Sequence, residues 1–536
     1  MAKMDLPGTT KRVGLAIERI KNQYLANDGN LPWLIGYSGG KDSTCTAQLV
    51  FRSLLELKSK GATLARRVVI FSSDTMIENP LVKTVIEKNI HLINQKAEEA
   101  DIPLEAVILR PEINKTFWVN IIGRGYPCPN TMFRWCTDRL KIEPANNFVK
   151  KFIDKNGETI MLLGVRQGES QTRDRVLKQH GVEGEQLMRH TTLTNAYIFA
   201  PIIDLTTIDV FTYLSEFQSP WGSSNKELYW LYEESGGGEC PIFLAQQDKT
   251  SKNSCGNSRL GCWVCTVVSQ DKSLSGFIAS GFHNHLKPLL NFRNWLAGIR
   301  DNDEYRCRFR ANGTVYYINV QTKTNPLNGN RVLVIPKKGD REQIEINLAG
   351  NTTIADDGTP YWIVKDGTLA DFMRIHRLKA TSTELSRVII YDEVTDTYSR
   401  LGTGPFTYEA KIEILDKLLS AEVEYNKGAQ EKATLISDAE IAEIMKIWSK
   451  LGEEIAPINE VLTKHGRSPI TLLRDDFDYI NENYSADMRT MARKNKLELD
   501  VLNRLLQIEK LHNCDEDRSE AVKEITGLFV SDRMNL

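Results

Sequence analysis

A short apolar run that leads into a glycine loop and then a helix restricts the fold of this chain most. Trp33–Tyr37 predicts a buried strand, Ser38–Ser43 reads Ser-Gly-Gly-Lys-Asp-Ser, and helical periodicity follows. A helix is predicted before this unit, and strands and helices alternate after it. Their predicted bounds are helix 8–28, strand 67–72, helix 80–100, strand 106–109, helix 139–155 and strand 159–164. The alternation predicts an α/β fold with a doubly wound parallel sheet, whose ligands bind beyond the carboxyl ends of the strands.

The rest of the 536-residue chain predicts three further parts. After the α/β domain, which we expect over 1–235, we expect a cysteine-rich region over 236–309, a small β-rich insert over 310–410 and a helical region over 411–536. The formal net charge is -2, so contact with a polyanion would need a local basic surface. We expect a cytoplasmic chain with no membrane contact, because no apolar stretch approaches about 18 residues and the start lacks the pattern of a signal peptide.

The glycine loop is predicted to bind phosphate. A loop between a strand and a helix offers unpaired backbone N–H groups and the positive end of the helix dipole to an anion. Lys41 and the hydroxyls of Ser38 and Ser43 can add donors. A Walker A loop needs Ser or Thr directly after its lysine, whereas Asp42 follows Lys41 here. The sequence therefore predicts a phosphate loop of another kind.

The loop motif resembles the PP-loop of ATP pyrophosphatases, which cleave ATP between the α and β phosphates. Phe71–Thr75 and Gly164–Ser170 resemble segments of the phosphoadenylylsulfate reductase branch of that superfamily. The resemblance implies that Asp74 lies beside the adenosine and that Arg166 faces the phosphates, although Asp74 could instead cap a turn. It also implies Mg²⁺, which Asp42 could help to position. The implied ATP-binding residues are Ser38, Gly39, Gly40, Lys41, Asp42, Ser43, Asp74, Thr75 and Arg166.

Four of the nine cysteines fall within 26 residues, in the pattern C-x14-C-x6-C-x2-C. They are Cys240, Cys255, Cys262 and Cys265. Four thiols so close in a reducing compartment predict a tetrathiolate site, and this spacing leaves zinc and iron–sulfur open. In the related adenylylsulfate reductases a Cys-Cys pair and a later CxxC ligate a [4Fe–4S] cluster. That resemblance favours iron–sulfur and makes Cys136 a rival ligand to Cys240.

Cys136 is also a candidate catalytic residue. It is predicted at a helix start among Arg134, Arg139 and Lys141, a setting expected to favour its thiolate. Lys41 and Asp42 complete the predicted catalytic set, and Arg139 and Lys141 are candidates for contact with a substrate phosphate. The stretch 134–178 carries ten Lys and Arg against six Asp and Glu, which is a modest local excess of positive charge.

Taken together, these motifs and the length are similar to the DndC family, the sulfurtransferases of bacterial DNA phosphorothioation. The resemblance implies a [4Fe–4S] protein that converts ATP to AMP and pyrophosphate and places sulfur on a DNA phosphate. Implied partners are DNA, a cysteine desulfurase (DndA or a housekeeping relative), DndD and DndE. Three alternatives stay open at this point: a tRNA thiolation enzyme, a reductase of adenylylated sulfate, and a nucleotide-bound iron–sulfur sensor or scaffold without enzymatic activity.

Overall fold

The structure is a computed structural model whose described residues form two compact units. It describes residues 6–28, 30–167, 187–190, 193–235, 261–310, 313–326, 329, 331–336, 343–347, 352–355, 358–379, 382–472 and 522. The first unit comprises the described residues of Met1–Phe117, Pro129–Asn294 and Ala421–Leu435, and the second those of Trp118–Cys128, Trp295–Ser420 and Ile436–Leu536. The four-part division predicted from the sequence is finer and stays a prediction.

The first unit is built on a six-stranded sheet in the order β3-β2-β1-β4-β6-β5. Its strands are β1 (Trp33–Gly36), β2 (Val68–Ser73), β3 (Leu104–Leu109), β4 (Thr159–Leu162), β5 (Met188–Arg189) and β6 (Ala196–Phe199). All neighbours pair in parallel except β5, which runs antiparallel to β6. The predicted α/β class with a parallel sheet is therefore confirmed.

The helices over 6–24, 41–59, 80–99 and 143–156 lie close to where the hydrophobic pattern predicts them, whereas the pattern predicts no helix where the described helices from Thr207 to Ile299 lie. The described helices of this unit are α1 (Leu6–Tyr24), α2 (Lys41–Ser59), α3 (Pro80–Glu99), α4 (Trp135–Thr137), α5 (Glu143–Asn156), α6 (Thr207–Glu216), α7 (Asn225–Ser235), α8 (Lys272–Ala279) and α9 (Lys287–Ile299). A π-helical turn, Asp138–Ile142, joins α4 to α5. Trp33 and Ile35 of β1 pack into one core with α1, α2, α3 and α6, whereas Leu34 joins a second core with α5. Alternate residues of the strand thus face helices on both sides of the sheet.

The second unit contains the predicted β-rich region as a seven-stranded sheet in the order β10-β11-β12-β13-β7-β8-β9. Its strands are β7 (Tyr317–Thr324), β8 (Arg331–Pro336), β9 (Gln343–Asn347), β10 (Thr352–Ile354), β11 (Pro360–Lys365), β12 (Val388–Asp392) and β13 (Thr397–Leu401), and α10 (Leu369–Ile375) lies between β11 and β12. The helices after this sheet are α11 (Tyr408–Gly428), α12 (Asp438–Lys450) and α13 (Ala456–Lys464). No helix in the described part of the chain is long and apolar enough to cross a bilayer.

Candidate active site

The glycine loop joins the carboxyl end of β1 to the first turn of α2, as predicted. Gly40 takes the N-cap position in extended conformation and supplies no side-chain cap to the helix. Gly39 has φ +70°, and a Cβ there would lie 2.7 Å from Cγ1 of Ile86 on α3. Glycine is therefore required at 39 both by the backbone conformation and by the close approach of α3. Ser38 and Ser43 close the loop, with their Oγ atoms 3.1 Å apart.

Lys41, Asp42 and Arg166 form a network of ion pairs at this loop. Arg166 Nε donates to Asp42 Oδ1 at 2.6 Å, and Lys41 Nζ donates to Asp42 Oδ2 at 3.0 Å. Burial opposes the charge on Lys41, but the adjacent Asp42 carboxylate and then Tyr232 raise its pKa above the ordinary value. Both carboxylate oxygens of Asp42 thus hold a cation in place. In this arrangement Asp42 positions Lys41 and Arg166, and the Mg²⁺ contact expected of it stays a prediction.

Arg166 retains an unused hydrogen-bond donor beside the loop. The residue is 2% exposed, and its Nη1 donates to Thr207 Oγ1 at 3.0 Å. Its Nη2 is buried and has no hydrogen-bond partner among the residues that the structure describes. A buried guanidinium nitrogen without an acceptor is costly, so an anionic ligand at this point would satisfy it. The observation agrees with the phosphate contact expected of Arg166.

Gly164 allows the Arg166 segment to reach the loop. It follows β4, and a Cβ at this position would lie 2.9 Å from the backbone oxygen of Asp42 and 3.1 Å from the nitrogen of Ser43. Real Cβ atoms do not approach backbone so closely. Glycine at 164 is therefore what allows two loops at the carboxyl edge of the sheet to touch.

Asp74 and Thr75 lie at the carboxyl end of the neighbouring strand β2, in a buried turn. Asp74 Oδ1 accepts the backbone N–H of Met76 at 2.8 Å, and its Oδ2 accepts a bond from Arg110 at 2.9 Å. Met76 has φ +64°, so the Asp74 bond supports a strained residue. The turn-capping interpretation of Asp74 thus describes its contacts, and its place beside an adenosine stays a prediction.

The CxxC turn is fastened to this same β2–α3 loop. Cys262 forms an antiparallel bridge with Glu78, and the Trp263 N–H donates to the carbonyl of Ile77 at 3.1 Å. The hydroxyl of the fully buried Thr75 lies 3.5 Å from the sulfur of Cys262. A thiol from residues 262–265 is therefore held at the same edge of the sheet as the phosphate loop.

Burial raises the pKa of two thiols at this edge, which corrects one expectation. Burial, followed by the charge of Glu78, raises the pKa of Cys262 to about 12. Burial, followed by the nearby Cys265, also raises the pKa of Cys136, contrary to the predicted stabilisation of its thiolate. The reason is that desolvation exceeds the effect of the helix start, while Lys141 pairs with Glu78 at 3.3 Å. Burial opposes the charge on Lys141, yet Cys262, Glu78 and Cys136 raise its pKa.

The candidate cluster ligands are described only in part. Cys265 interacts electrostatically with both Cys136 and Cys262. Cys240 and Cys255 lie outside the described residues. Within the part of the chain that the structure describes, no three His, Cys, Asp or Glu side chains stand at metal-binding distances. Cysteine thiolates are the ligands that a [4Fe–4S] cluster takes, so the donor set fits it, and the cluster itself stays a prediction.

The two candidates for a substrate phosphate differ in exposure. The Lys141 side chain is 47% exposed and Arg139 is half-buried on the same π-helical turn. Arg134 is exposed at the start of α4. The contact of Arg139 and Lys141 with a substrate phosphate stays a prediction.

Sequence comparison finds a known family that matches part of the chain. The family described as phosphoadenosine phosphosulfate reductase domain matches residues 33–268. This match covers less than half of the chain. Members of its PP-loop class are ATP-binding enzymes, some of which carry [4Fe–4S] clusters. The reductase-type domain thus accounts for the sheet of the first unit and for the phosphate loop.

Two uncharacterized proteins of Methanocaldococcus jannaschii, MJ0066 and MJ0973, resemble the domain in sequence. The first is 27% identical over 255 residues, which are 47% of this chain and 39% of the relative. The second is 26% identical over 250 residues, which are 46% of this chain and 45% of the relative. The chain thus matches less than half the length of either protein.

Two of the solved structures that this chain matches are sulfur enzymes. Phosphoadenylyl-sulfate reductase from Candida auris is 12% identical, with 41% of this chain and 90% of that one covered and a TM-score of 0.26. The U34-tRNA thiolase NcsA from Methanococcus maripaludis, described with its [4Fe-4S] cluster, is 12% identical, with 54% and 79% covered and a TM-score of 0.24. Likeness at this level carries no conclusion about substrate.

Several residues of the domain that touch the loop were missed by sequence reasoning. Thr207 on α6 fixes Arg166, and Phe211 and Tyr232 place their rings near Lys41. One sequence signal could have located α6: Thr206 and Asp209 have the spacing of a capping box, and they form one at the start of this helix. Nothing in the local pattern around Tyr232 distinguishes it from the other aromatic residues of α7.

Proposed function

We propose that this chain is an ATP-dependent sulfurtransferase of DNA phosphorothioate modification. It would activate a backbone phosphate with ATP and replace one non-bridging oxygen with sulfur. The proposal rests on one observation: the phosphate loop and the CxxC turn lie at the ends of two adjacent parallel strands of the same sheet. The loop after β1 presents Lys41 and, through Asp42, Arg166, while the loop after β2 holds Cys262 through Thr75. An ATP-cleaving site and a sulfur site on one edge suit an adenylylation followed by sulfur transfer.

The first step is adenylylation of the acceptor. A phosphate oxygen of the acceptor attacks the α-phosphorus of ATP, and pyrophosphate leaves. Lys41, the Nη2 of Arg166, which has no partner among the described residues, and those N–H groups of the first turn of α2 that Tyr232 does not hold would stabilise the charge that grows on the leaving group. Asp42 keeps both cations in place for this task. Mg²⁺, arriving with ATP, would neutralise further charge.

The second step transfers sulfur. A persulfide on Cys136, loaded by a cysteine desulfurase, attacks the activated phosphorus and expels AMP. The resulting S–S bond to Cys136 is then broken by a thiol reductant, which supplies two electrons and leaves sulfur on the phosphate. Because the pKa of Cys136 is raised in the free chain, a persulfide, which is more acidic than a thiol, suits this role better than the cysteine itself.

A [4Fe–4S] cluster is proposed as the partner of the remaining thiols. Cys262 and Cys265 would hold it together with Cys240 and Cys255, and Cys136 is the alternative to Cys240. The cluster would supply a redox-active, anionic centre at the edge of the sheet. If Cys136 is a ligand, the persulfide must sit on another thiol, so the two roles of Cys136 exclude one another.

DNA as the acceptor rests on the similarity of the motifs to the DndC family. The local basic stretch from Arg134 offers cations beside Cys136 for a phosphate backbone. Sequence preference is left to the partners DndD and DndE, which are proposed together with the desulfurase.

The test follows sulfur in cells. A host that makes the partners is supplied with the wild-type chain or with Cys136→Ser, and nuclease digests of DNA and of tRNA are examined by mass spectrometry. We expect phosphorothioate-linked dinucleotides from DNA with the wild type and none with Cys136→Ser. Sulfur found in tRNA instead would replace the proposed acceptor. Full DNA sulfur incorporation with Cys136→Ser would remove Cys136 from the reaction.

A further inference from the structure

Helix α7 holds an aromatic side chain against the phosphate loop. The backbone N–H of Lys41, in the first turn of α2, donates to the Tyr232 hydroxyl with 3.3 Å between nitrogen and oxygen. The Nζ atom of Lys41 lies 5.9 Å from the centre of the Tyr232 ring. One tyrosine therefore contacts both the main chain and the ammonium of the same lysine.

The setting keeps this contact rigid. The Phe211 ring, on α6, meets the Tyr232 ring edge-on at 5.6 Å between centroids and lies 6.0 Å from Lys41 Nζ. Phe211 is 4% exposed and Lys41 is 8% exposed, so the ammonium lies in a largely dry environment of two rings and the Asp42 carboxylate. Cation–π attraction is stronger where the cation is desolvated. A long lysine side chain that is held in this way has little rotamer freedom left to lose when a ligand binds.

We propose that Tyr232 is a positioning residue for Lys41. Its ring holds the ammonium and its hydroxyl holds the loop N–H in the arrangement that receives the pyrophosphate moiety of ATP. The proposal rests on the proposed function in one respect, namely that this loop binds phosphate. Tyr232 acts through Lys41 and is not itself assigned to the reacting atoms.

The same helix supplies a matched control. Tyr229 lies one turn earlier on α7, and its hydroxyl donates to the carbonyl of Phe211 at 3.3 Å. Tyr229→Phe removes a hydroxyl from the same helix and leaves the rings of Phe211 and Tyr232 in place. Tyr232→Phe keeps the ring and removes the hydroxyl, and Tyr232→Leu removes both.

The first readout is calorimetric binding of inorganic pyrophosphate and of ATP to the full chain. We expect about tenfold weaker binding for Tyr232→Leu and about threefold for Tyr232→Phe, with Tyr229→Phe within about twofold of wild type. In a Lys41→Met background the loss from Tyr232→Leu should shrink to about threefold, because the ring no longer has an ammonium to hold while the hydroxyl bond to the backbone N–H of residue 41 is still lost. An undiminished tenfold loss in that background would overturn the proposal.

The second readout needs no nucleotide and separates this inference from the proposed function. Acetylation of Lys41 by limiting acetic anhydride, measured by peptide mass spectrometry, reports how accessible the ammonium is. We expect a severalfold rise for Tyr232→Leu and none for Tyr229→Phe, with unchanged far-ultraviolet circular dichroism as the check of folding. An unchanged rate in folded Tyr232→Leu would refute the role of Tyr232, whereas a wild-type chain that binds neither ATP nor pyrophosphate would refute the proposed function alone.

Discussion

The phosphate loop (Ser38–Ser43) follows β1, and the CxxC turn (Cys262–Cys265), here called the thiol turn, is attached to the loop after the neighbouring strand β2. The two differ in how their charges are compensated. At the loop, the charges of Lys41, Asp42 and Arg166 compensate one another before any ligand is present, and one donor of Arg166 is left over. At the turn, burial raises the pKa of Cys262 and of Cys136, so the thiols are neutral until something replaces their protons. The comparison teaches that the first centre is ready to receive its ligand, whereas the second depends on a metal, a cluster or a sulfur donor to become reactive.

The largest expected effect comes from removing a cation of the preformed centre. Lys41→Met takes away the ammonium while keeping most of the side-chain volume, so charge on the leaving pyrophosphate loses a donor. We expect the rate of pyrophosphate release to fall by about a hundredfold or more. A coupled pyrophosphate assay with purified protein measures this. Lys83→Met, on α3 of the same unit and outside the loop, should stay within about twofold of the wild-type rate.

The second-largest effect is expected where Gly164 lets the segment after β4 touch the phosphate loop. Gly164→Ala forces a Cβ to 2.9 Å from the backbone oxygen of Asp42, so the loops must separate. We expect the free energy of unfolding to fall by about 1–3 kcal/mol, with weaker ATP binding. Gly14→Ala is the control, since a Cβ there meets nothing within 4 Å inside helix α1, and it should be neutral or stabilising by up to about 1 kcal/mol. Equal effects of the two substitutions in urea unfolding would show that the loops do not need this contact.

A third prediction concerns Asp209, which caps the helix that carries Thr207, the hydrogen-bond partner of Arg166. Asp209 is 1% exposed and accepts bonds from Thr9, Arg12 and Thr206; burial opposes its charge, but these bonds lower its pKa to about 2. Since the pKa is lower in the folded state than in the unfolded one, the stabilisation is complete above pH 4 and is lost as the pH falls from 4 to 2. Over this pH range the free energy of unfolding of the wild type should fall by about 2 kcal/mol, and this fall should be absent in Asp209→Asn. Urea unfolding across that range measures it, and a wild type and variant with parallel pH dependence would contradict the assigned network.

The smallest effect is expected at the thiol turn. Thr75→Val keeps the shape of the side chain and removes the hydroxyl 3.5 Å from the Cys262 sulfur. The same hydroxyl also donates to Glu78 Oε1 at 3.0 Å, so the free energy of unfolding should fall by about 1–2 kcal/mol. Pyrophosphate release should stay within about twofold of wild type if the two centres are built independently. A loss as large as that of Lys41→Met would show instead that the turn and the loop act as one unit.

The same contrast explains what the sequence could predict. The phosphate loop is six consecutive residues between a strand and a helix, so local pattern was enough to place it, and the parallel order of β1, β2 and β4 brought Arg166 to it. The thiol turn needs Thr75, Cys136 and Cys262 from three separate segments, and its electrostatics follow from burial, which no spacing reveals. Arg134, Arg139 and Lys141 suggested a stabilised Cys136 thiolate because their charges are visible in sequence, whereas desolvation and the Lys141–Glu78 pair are not.

The products that purified protein makes from ATP test the central claim most directly. The chain is incubated with Mg²⁺, ATP, DNA and a persulfide donor, and phosphorus NMR follows the nucleotides. We predict AMP and pyrophosphate in equal amounts, with formation abolished in Lys41→Met. ADP with inorganic phosphate, or the same products at an equal rate from Lys41→Met, would contradict a PP-loop site at Ser38–Ser43.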